Sequence, residues 1–99
     1  MALAIKVKLI GGLRGLAGKS EIGLKPTRTT LTVSEVVSRL CRKVASKRFE
    51  QAMIDSSSET IGPNIVVLVN DKDISVLQGL RTQIGRNDTV TLIPVAHGG

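Results

Sequence analysis

The alternation of apolar and charged residues near the start of the chain predicts two paired β-strands. Residues 4–10 have the period-2 pattern of a half-buried strand, with Ile5, Val7 and Leu9 facing the core. Residues 21–26 alternate in the same way, so they predict a second strand beside the first. The chain therefore begins with strands that must bury one face against another element.

Between these strands, residues 11–20 contain four glycines and predict a loop that Leu13 and Leu16 pin to the core. The loop ends in Gly18-Lys19-Ser20 and nearly matches the phosphate-binding pattern G-x-x-x-x-G-K-[ST]. That pattern requires glycine where Leu13 stands, and it must open a helix rather than lead into a strand. We therefore interpret the segment as an ordinary connection and not as a nucleotide site.

One amphipathic helix is predicted over residues 33–48. Thr32 and Glu35 match a capping box, in which each side chain satisfies a free backbone N–H of the first turn. The apolar positions follow the spacing of a single buried stripe: Val33, Val36, Val37, Leu40 and Val44. After the helix, residues 49–55 predict a further helical turn and residues 55–60 a surface loop.

The pattern in the second half of the chain again predicts strands. Residues 65–69 form a short apolar run, typical of a strand covered on both faces. A turn and a short edge strand over residues 74–77 follow, and residues 89–93 form the last strand. Strands at both ends of the chain around one helix predict an α+β fold, with a mixed sheet packed on that helix.

Composition is consistent with one small intracellular domain. The chain has 99 residues, and its 41% apolar content is almost wholly aliphatic because Phe49 is the sole aromatic residue. One cysteine excludes an internal disulfide and favours a reducing compartment, so we expect a cytoplasmic protein. No run approaches the roughly 18 apolar residues of a membrane span, and no membrane association is expected.

Charge favours an anionic partner, which could be an acidic protein groove or a nucleic acid. The chain has 14 Lys and Arg residues against 8 Asp and Glu, a net charge of +6. Several cations fall on the predicted helix and could contact phosphates: Arg39, Arg42, Lys43, Lys47 and Arg48. Since no further aromatic residue is present to stack on bases, nucleic acid is not expected as the principal ligand.

The sequence offers no catalytic set and no metal site. Cys41 lies mid-helix beside the apolar stripe, where a thiol lacks the exposure and the base that a nucleophile requires. His97 is the single histidine, and one histidine with one cysteine cannot complete a metal site. We therefore expect that the chain is not an enzyme.

The last residues carry the candidate chemistry. Two terminal glycines cost conformational entropy and give a packed fold nothing, so another role must require them. An extended Gly98-Gly99 can pass through a tunnel too narrow for any Cβ and deliver the Gly99 carboxylate to another protein's site. We therefore divide the chain into a domain over residues 1–95 and a flexible tail over residues 96–99.

This order of elements and several short motifs resemble the ubiquitin-fold (β-grasp) sulfur carriers and modifiers over nearly the whole chain. Leu13-Arg14-Gly15-Leu16-Ala17-Gly18 resembles the L-R-x-x-A-G loop of the small subunit of molybdopterin synthase, and residues 85–99 resemble that family's ending. Residues 69–73 and His97-Gly98-Gly99 look closer still to the ubiquitin-related modifier, with its N-D-x-D turn and H-G-G tail. The resemblance implies a ubiquitin-like β-grasp with a mixed sheet of four to five strands packed on one main helix.

The resemblance also implies a function. An E1-like enzyme would use Mg-ATP to adenylate the Gly99 carboxylate, and a sulfurtransferase persulfide or an acceptor lysine would then yield a thiocarboxylate or an isopeptide. This chain would bind no cofactor itself, and Val95, Ala96, His97 and Gly98 would serve recognition by the enzyme. Two alternatives stay open. One is the small subunit of molybdopterin synthase, which donates sulfur to molybdopterin beside a large subunit, and the other is a nucleic-acid-binding module that uses the basic helix.

Overall fold

The computed structural model describes residues 4–26, 28–55 and 60–95. In chain order its elements are β1 (Ile5–Leu9), α1 (Gly12–Ala17), β2 (Glu21–Leu24), β3 (Thr30–Thr32), α2 (Val33–Val44), α3 (Lys47–Met53), β4 (Ile54–Asp55), β5 (Thr60–Ile61), β6 (Ile65–Val69), β7 (Lys72–Asp73), β8 (Gln83–Gly85) and β9 (Thr89–Pro94). Two short 3₁₀ turns, Ile74–Val76 and Gly79–Arg81, lie between β7 and β8.

Five strands form one mixed sheet in the order β2-β1-β9-β6-β7. The first and last strands of the chain, β1 and β9, are parallel neighbours at its centre, and the other pairs are antiparallel. The predicted alternation in β1 is confirmed, since Ile5, Val7 and Leu9 are at most 1% exposed. The mixed sheet and the α+β class follow the expectation from the sequence.

The main helix α2 begins where the capping box predicted. Thr32 Oγ1 accepts a hydrogen bond from the Glu35 N–H at 3.1 Å, and Glu35 Oε1 accepts one from the Thr32 N–H at 3.0 Å. These bonds satisfy two of the donors that a helix start leaves free. The apolar stripe is buried against the sheet at Val33, Val36, Val37 and Leu40.

The predicted end of this helix, at residue 48, was wrong. α2 ends at Val44, Ala45 takes a left-handed φ of 55°, and α3 begins at Lys47. On one straight helix, Phe49 would lie roughly 140° from Val44, at 100° per residue, and would point away from the stripe. The break redirects the chain so that Phe49 is fully buried.

The glycine-rich segment after β1 was predicted as a loop, but residues 12–17 form the helix α1. Gly11 and Gly18 flank it with φ of 59° and 77°, conformations that favour glycine and end a helix cleanly. Leu13 is buried and Leu16 packs beside it at the next turn. Two of the four glycines therefore mark the boundaries of a helix rather than a loop.

The short edge strand predicted at residues 74–77 was also wrong. The edge strand is β7, and the chain then forms a 3₁₀ turn at Ile74–Val76. Asp73 causes the change, because its Oδ1 accepts a hydrogen bond from the Ser75 N–H at 2.8 Å and so starts the turn.

Two small strand pairs were not predicted. β3 pairs with β8 on the side of the main helix, which closes the end of the core at Leu31 and Ile84. β4 pairs with β5 at the borders of the segment predicted as a surface loop. Residues 56–59 of that segment lie outside the described residues.

Candidate functional site

The strand that leads to the tail is paired with β1 as far as Leu92 and with β6 up to its last residue, Pro94. β9 lies between β1 and β6, and Pro94 is opposite Ile65. The next residue, Val95, donates its N–H to the carbonyl oxygen of Asn64, with 2.7 Å between the two atoms. The chain therefore leaves the sheet from a fixed point.

Of the predicted site residues, the structure places Val95, which is 44% exposed at this exit. The other four, Ala96, His97, Gly98 and Gly99, lie outside the described residues. Their roles, and the division into a domain and a tail after residue 95, stay predictions.

The helix α1 borders the tail exit. A Cβ built on Gly11, the residue that caps α1, would lie 3.4 Å from Pro94 Cγ. The segment Leu13–Gly18, whose motif resembled that of a sulfur carrier, therefore lies beside the end of β9, although about eighty residues separate the two in sequence. The fold therefore places this segment next to the strand that precedes the tail.

An apolar strip lies at the exit on the sheet face opposite the helices, and we call it the exit strip. It consists of Ile10, Val66, Ile93 and Val95. The N–H of Ile10 bonds to Leu92 O at 3.1 Å, and Ile93 is opposite Val66. Ile10 and Val95 are each 44% exposed, and the other two are half-buried. Exposed apolar side chains of this size, grouped around the origin of the tail, are typical of a protein interface.

Cations border the exit strip on the same sheet face. Lys6 and Lys8 of β1 are exposed there, and Lys6 Nζ lies 3.4 Å from the Glu21 carboxylate. Such an exposed pair contributes little to stability. Charges around an apolar patch favour orientation and association rate instead, so this face fits a partner with apolar and acidic groups.

Sequence reasoning missed the exit strip, although one signal was present. Lys6 and Lys8 occupy the polar positions of the first strand, and Ile10 continues the same face with an apolar residue. β6 was predicted to be covered on both faces, but Val66 and Leu68 are only half-buried on the open side. The sole aromatic residue, Phe49, is buried and takes no part in this face.

The remaining candidate chemistry lies away from the exit. Burial, and to a lesser extent the nearby charge of Glu50, raises the pKa of the Cys41 thiol to about 11. The thiol is therefore protonated at neutral pH, in agreement with the expectation that Cys41 is not a nucleophile. The described residues contain no group of three or more His, Cys, Asp or Glu that could hold a metal ion, and no helix among them is long and apolar enough to cross a bilayer.

The sequence matches the family model described as Urm1, the ubiquitin related modifier, over residues 4–99. The chain belongs to the Urm1 family. A relative from Schizosaccharomyces pombe, ubiquitin-related modifier 1, is 29% identical over 99 residues, which cover 98% of this chain and all of the relative. The matched region includes the His97-Gly98-Gly99 motif.

Two solved structures confirm the ubiquitin-like β-grasp. Urm1 from Trypanosoma brucei is 30% identical with a TM-score of 0.78, and the match covers 97% of this chain and 95% of that one. The small archaeal modifier protein 1 from Methanosarcina acetivorans is 26% identical with a TM-score of 0.81, over 98% and 97% of the two chains. Membership in the Urm1 family makes this chain a ubiquitin-like modifier. This is consistent with a protein that is not an enzyme. It favours neither of the two alternatives, the small subunit of molybdopterin synthase and the nucleic-acid-binding module.

Proposed function

We propose that this chain is a sulfur carrier and protein modifier whose Gly99 carboxylate is activated by an E1-like enzyme. The observation that carries the proposal is the tail exit. β9 is hydrogen-bonded to β1 as far as Leu92 and on the β6 side as far as Val95, and the exit strip lies around the point where the tail begins. An enzyme that binds this face would find the start of the tail, at Val95, at a fixed position.

The chemistry required of the tail is modest. A carboxylate is a poor electrophile, so a Gly99 oxygen first attacks the α-phosphate of ATP and pyrophosphate leaves. The enzyme binds the Mg-ATP, and this chain supplies the carboxylate. A persulfide sulfur can then displace AMP to give an acyl disulfide, which a second thiol cleaves to a thiocarboxylate and an enzyme disulfide. If a lysine amine displaces AMP instead, the product is an isopeptide.

The residues of this chain serve recognition rather than catalysis. Gly98 allows the close approach of enzyme backbone, and Val95, Ala96 and His97 are the residues that the enzyme would read along the tail. We propose the cytoplasm as the site of action, with a sulfurtransferase and acceptor lysines as further partners.

A mass measurement tests the proposal. The purified chain is incubated with its E1-like enzyme, Mg-ATP and a persulfide-loaded sulfurtransferase, and its intact mass is then compared with that of a reaction without ATP. We expect one oxygen to be replaced by sulfur at Gly99, and pyrophosphate to be released. If neither an adenylate nor a thiocarboxylate forms at Gly99, the proposal is wrong.

The exit strip gives a second test. Ile10→Glu places a charge in the apolar centre of the proposed interface, and we expect the KM of the E1-like enzyme for this chain to rise about tenfold, because interface centres exclude unpaired charge. Gln51→Glu adds the same charge at an exposed position of α3, on the helix side, and should change the KM less than twofold. Equal effects of the two substitutions would show that the enzyme does not bind this face.

A further inference from the structure

A concave feature, which we call the basic pocket, lies between the edge strand β2 and the helix α2. It has a volume of about 580 Å³. Four cations line it, and no acidic residue does: Lys25, Arg39, Arg42 and Lys43. The rest of the lining is Ala4, Gly23 and Leu24. The basic pocket and the exit strip lie at opposite ends of β1. Ala4 of the pocket and Ile10 of the strip are six residues apart, which is roughly 20 Å at about 3.3 Å per residue.

The spacing of residues in α2 builds the cationic wall. Arg39, Arg42 and Lys43 are three and four positions apart, so they share one helix face. Lys43 Nζ donates a hydrogen bond to the carbonyl oxygen of Gly23 at 2.7 Å and joins this face to the sheet edge. Lys25, which directly follows β2, completes the wall from the other side.

The fold does not neutralise these charges. Arg39 Nη1 is buried and has no hydrogen-bond partner in the part of the chain that the structure describes. The two ion pairs between side chains of the described residues, Arg28–Glu35 and Lys6–Glu21, both lie outside the basic pocket. A buried donor without a partner is costly, and so is a group of like charges, so both features indicate a missing anion.

We propose that the basic pocket binds the phosphate group of a small phosphorylated molecule. Guanidinium groups match phosphate oxygens with two parallel hydrogen bonds, and among the described residues Arg39 Nη1 has no partner that would compete for such a bond. A phosphate monoester brings a charge close to −2 near neutral pH, which offsets four cations better than the single charge of a carboxylate does.

The shape of the basic pocket favours a small ligand over a nucleic acid. Its volume falls within the usual range for small-molecule sites, and the exposed Ala4 adds a small apolar surface for the carbon part of a ligand. Sites for single-stranded nucleic acid combine cations with exposed aromatic residues, and the sole aromatic of this chain, Phe49, is buried.

The experiment is an NMR titration of the full chain, without any enzyme, using glycerol phosphate and inorganic phosphate as probes. We expect backbone shifts centred on residues 23–25 and on α2, and tighter binding as pH rises through the second pKa of the phosphate. Arg39→Gln should weaken binding about tenfold, since it removes charge-assisted hydrogen bonds. Arg14→Gln makes the same charge change in α1, at the opposite end of the β1–β2 pair, and should weaken binding less than twofold.

The outcomes separate the proposal from its competitors. Equal losses in Arg39→Gln and Arg14→Gln would overturn it in favour of general charge attraction. Tighter binding of a single-stranded RNA or an acidic peptide at the same residues would overturn it in favour of those partners. If Arg39→Gln does not fold, Arg39→Lys and the exposed Lys25→Gln take its place, and unchanged binding in both would refute the site. None of these results depends on activation of the tail. The proposed function is therefore tested separately, by the mass measurement at Gly99.

Discussion

Deletion of Gly99 should abolish activation by the E1-like enzyme, with ATP–pyrophosphate exchange reduced by about 100-fold or more. Removal of one extended residue moves the terminal carboxylate back by roughly 3.3–3.6 Å. β9 is fixed by hydrogen bonds up to Val95, so the domain cannot follow the shortened tail without losing contacts at the exit strip. Misplacement of a reacting group by even 1 Å can cost ~100-fold in rate.

Gly98→Ala sharpens this expectation, because it keeps the length of the tail and adds a single methyl group. If the tail enters a passage that admits no Cβ, activation should fall steeply although the carboxylate is present. Both variants should unfold at the same temperature as the wild type, since residues at a chain end contribute little to stability. Circular dichroism during heating provides this control.

The result that contradicts the expectation is full exchange activity after deletion of Gly99. Chemistry at another group would then have to replace the terminal carboxylate, and the proposed function would be lost with it. If deletion of Gly99 lowers the exchange activity but Gly98→Ala has wild-type activity, the role of the terminal carboxylate is supported. The narrow passage around Gly98 is then refuted.

Local sequence signals correctly predicted the elements in which the apolar pattern along the chain matches the residues that are buried. Alternation identified β1 with its buried residues Ile5, Val7 and Leu9, and the capping box placed the start of α2 at Val33. These features depend on neighbours within four residues, so a short window of sequence contains them. The ends of elements were harder to predict, because what stops an element is often its packing against distant parts of the fold.

The helix break at Ala45 is an example of such a distant cause. The residues from Val33 to Arg48 are compatible with one helix, and only the three-dimensional core shows that the next residue, Phe49, must turn inward. Likewise, the sequence contains the cations of the basic pocket, but only the contact between α2 and β2 brings Arg39 and Lys25 to the same pocket. The exit strip depends in the same way on the register that sets Ile10 beside Ile93.

Substitution of Phe49 by alanine should cause the largest loss of stability of any change considered for this fold. Phe49 is fully buried and is the largest side chain of the core. Such a truncation costs about 3–5 kcal/mol, from lost burial and from the cavity that remains. A domain of this size has a free energy of unfolding of only about 5–15 kcal/mol. The melting temperature should therefore fall by more than about 12 °C, at 4–8 °C per kcal/mol.

Urea unfolding followed by far-ultraviolet circular dichroism measures this loss, since the chain has no Trp or Tyr to report by fluorescence. The matched control is Met53→Leu, which changes a second fully buried residue of α3 while it conserves volume. It should cost less than about 1.5 kcal/mol. If the two substitutions destabilise the protein equally, Phe49 does not fill the core as described. The break at Ala45 would then lack its physical cause, because the need to bury Phe49 is what ends α2 at Val44.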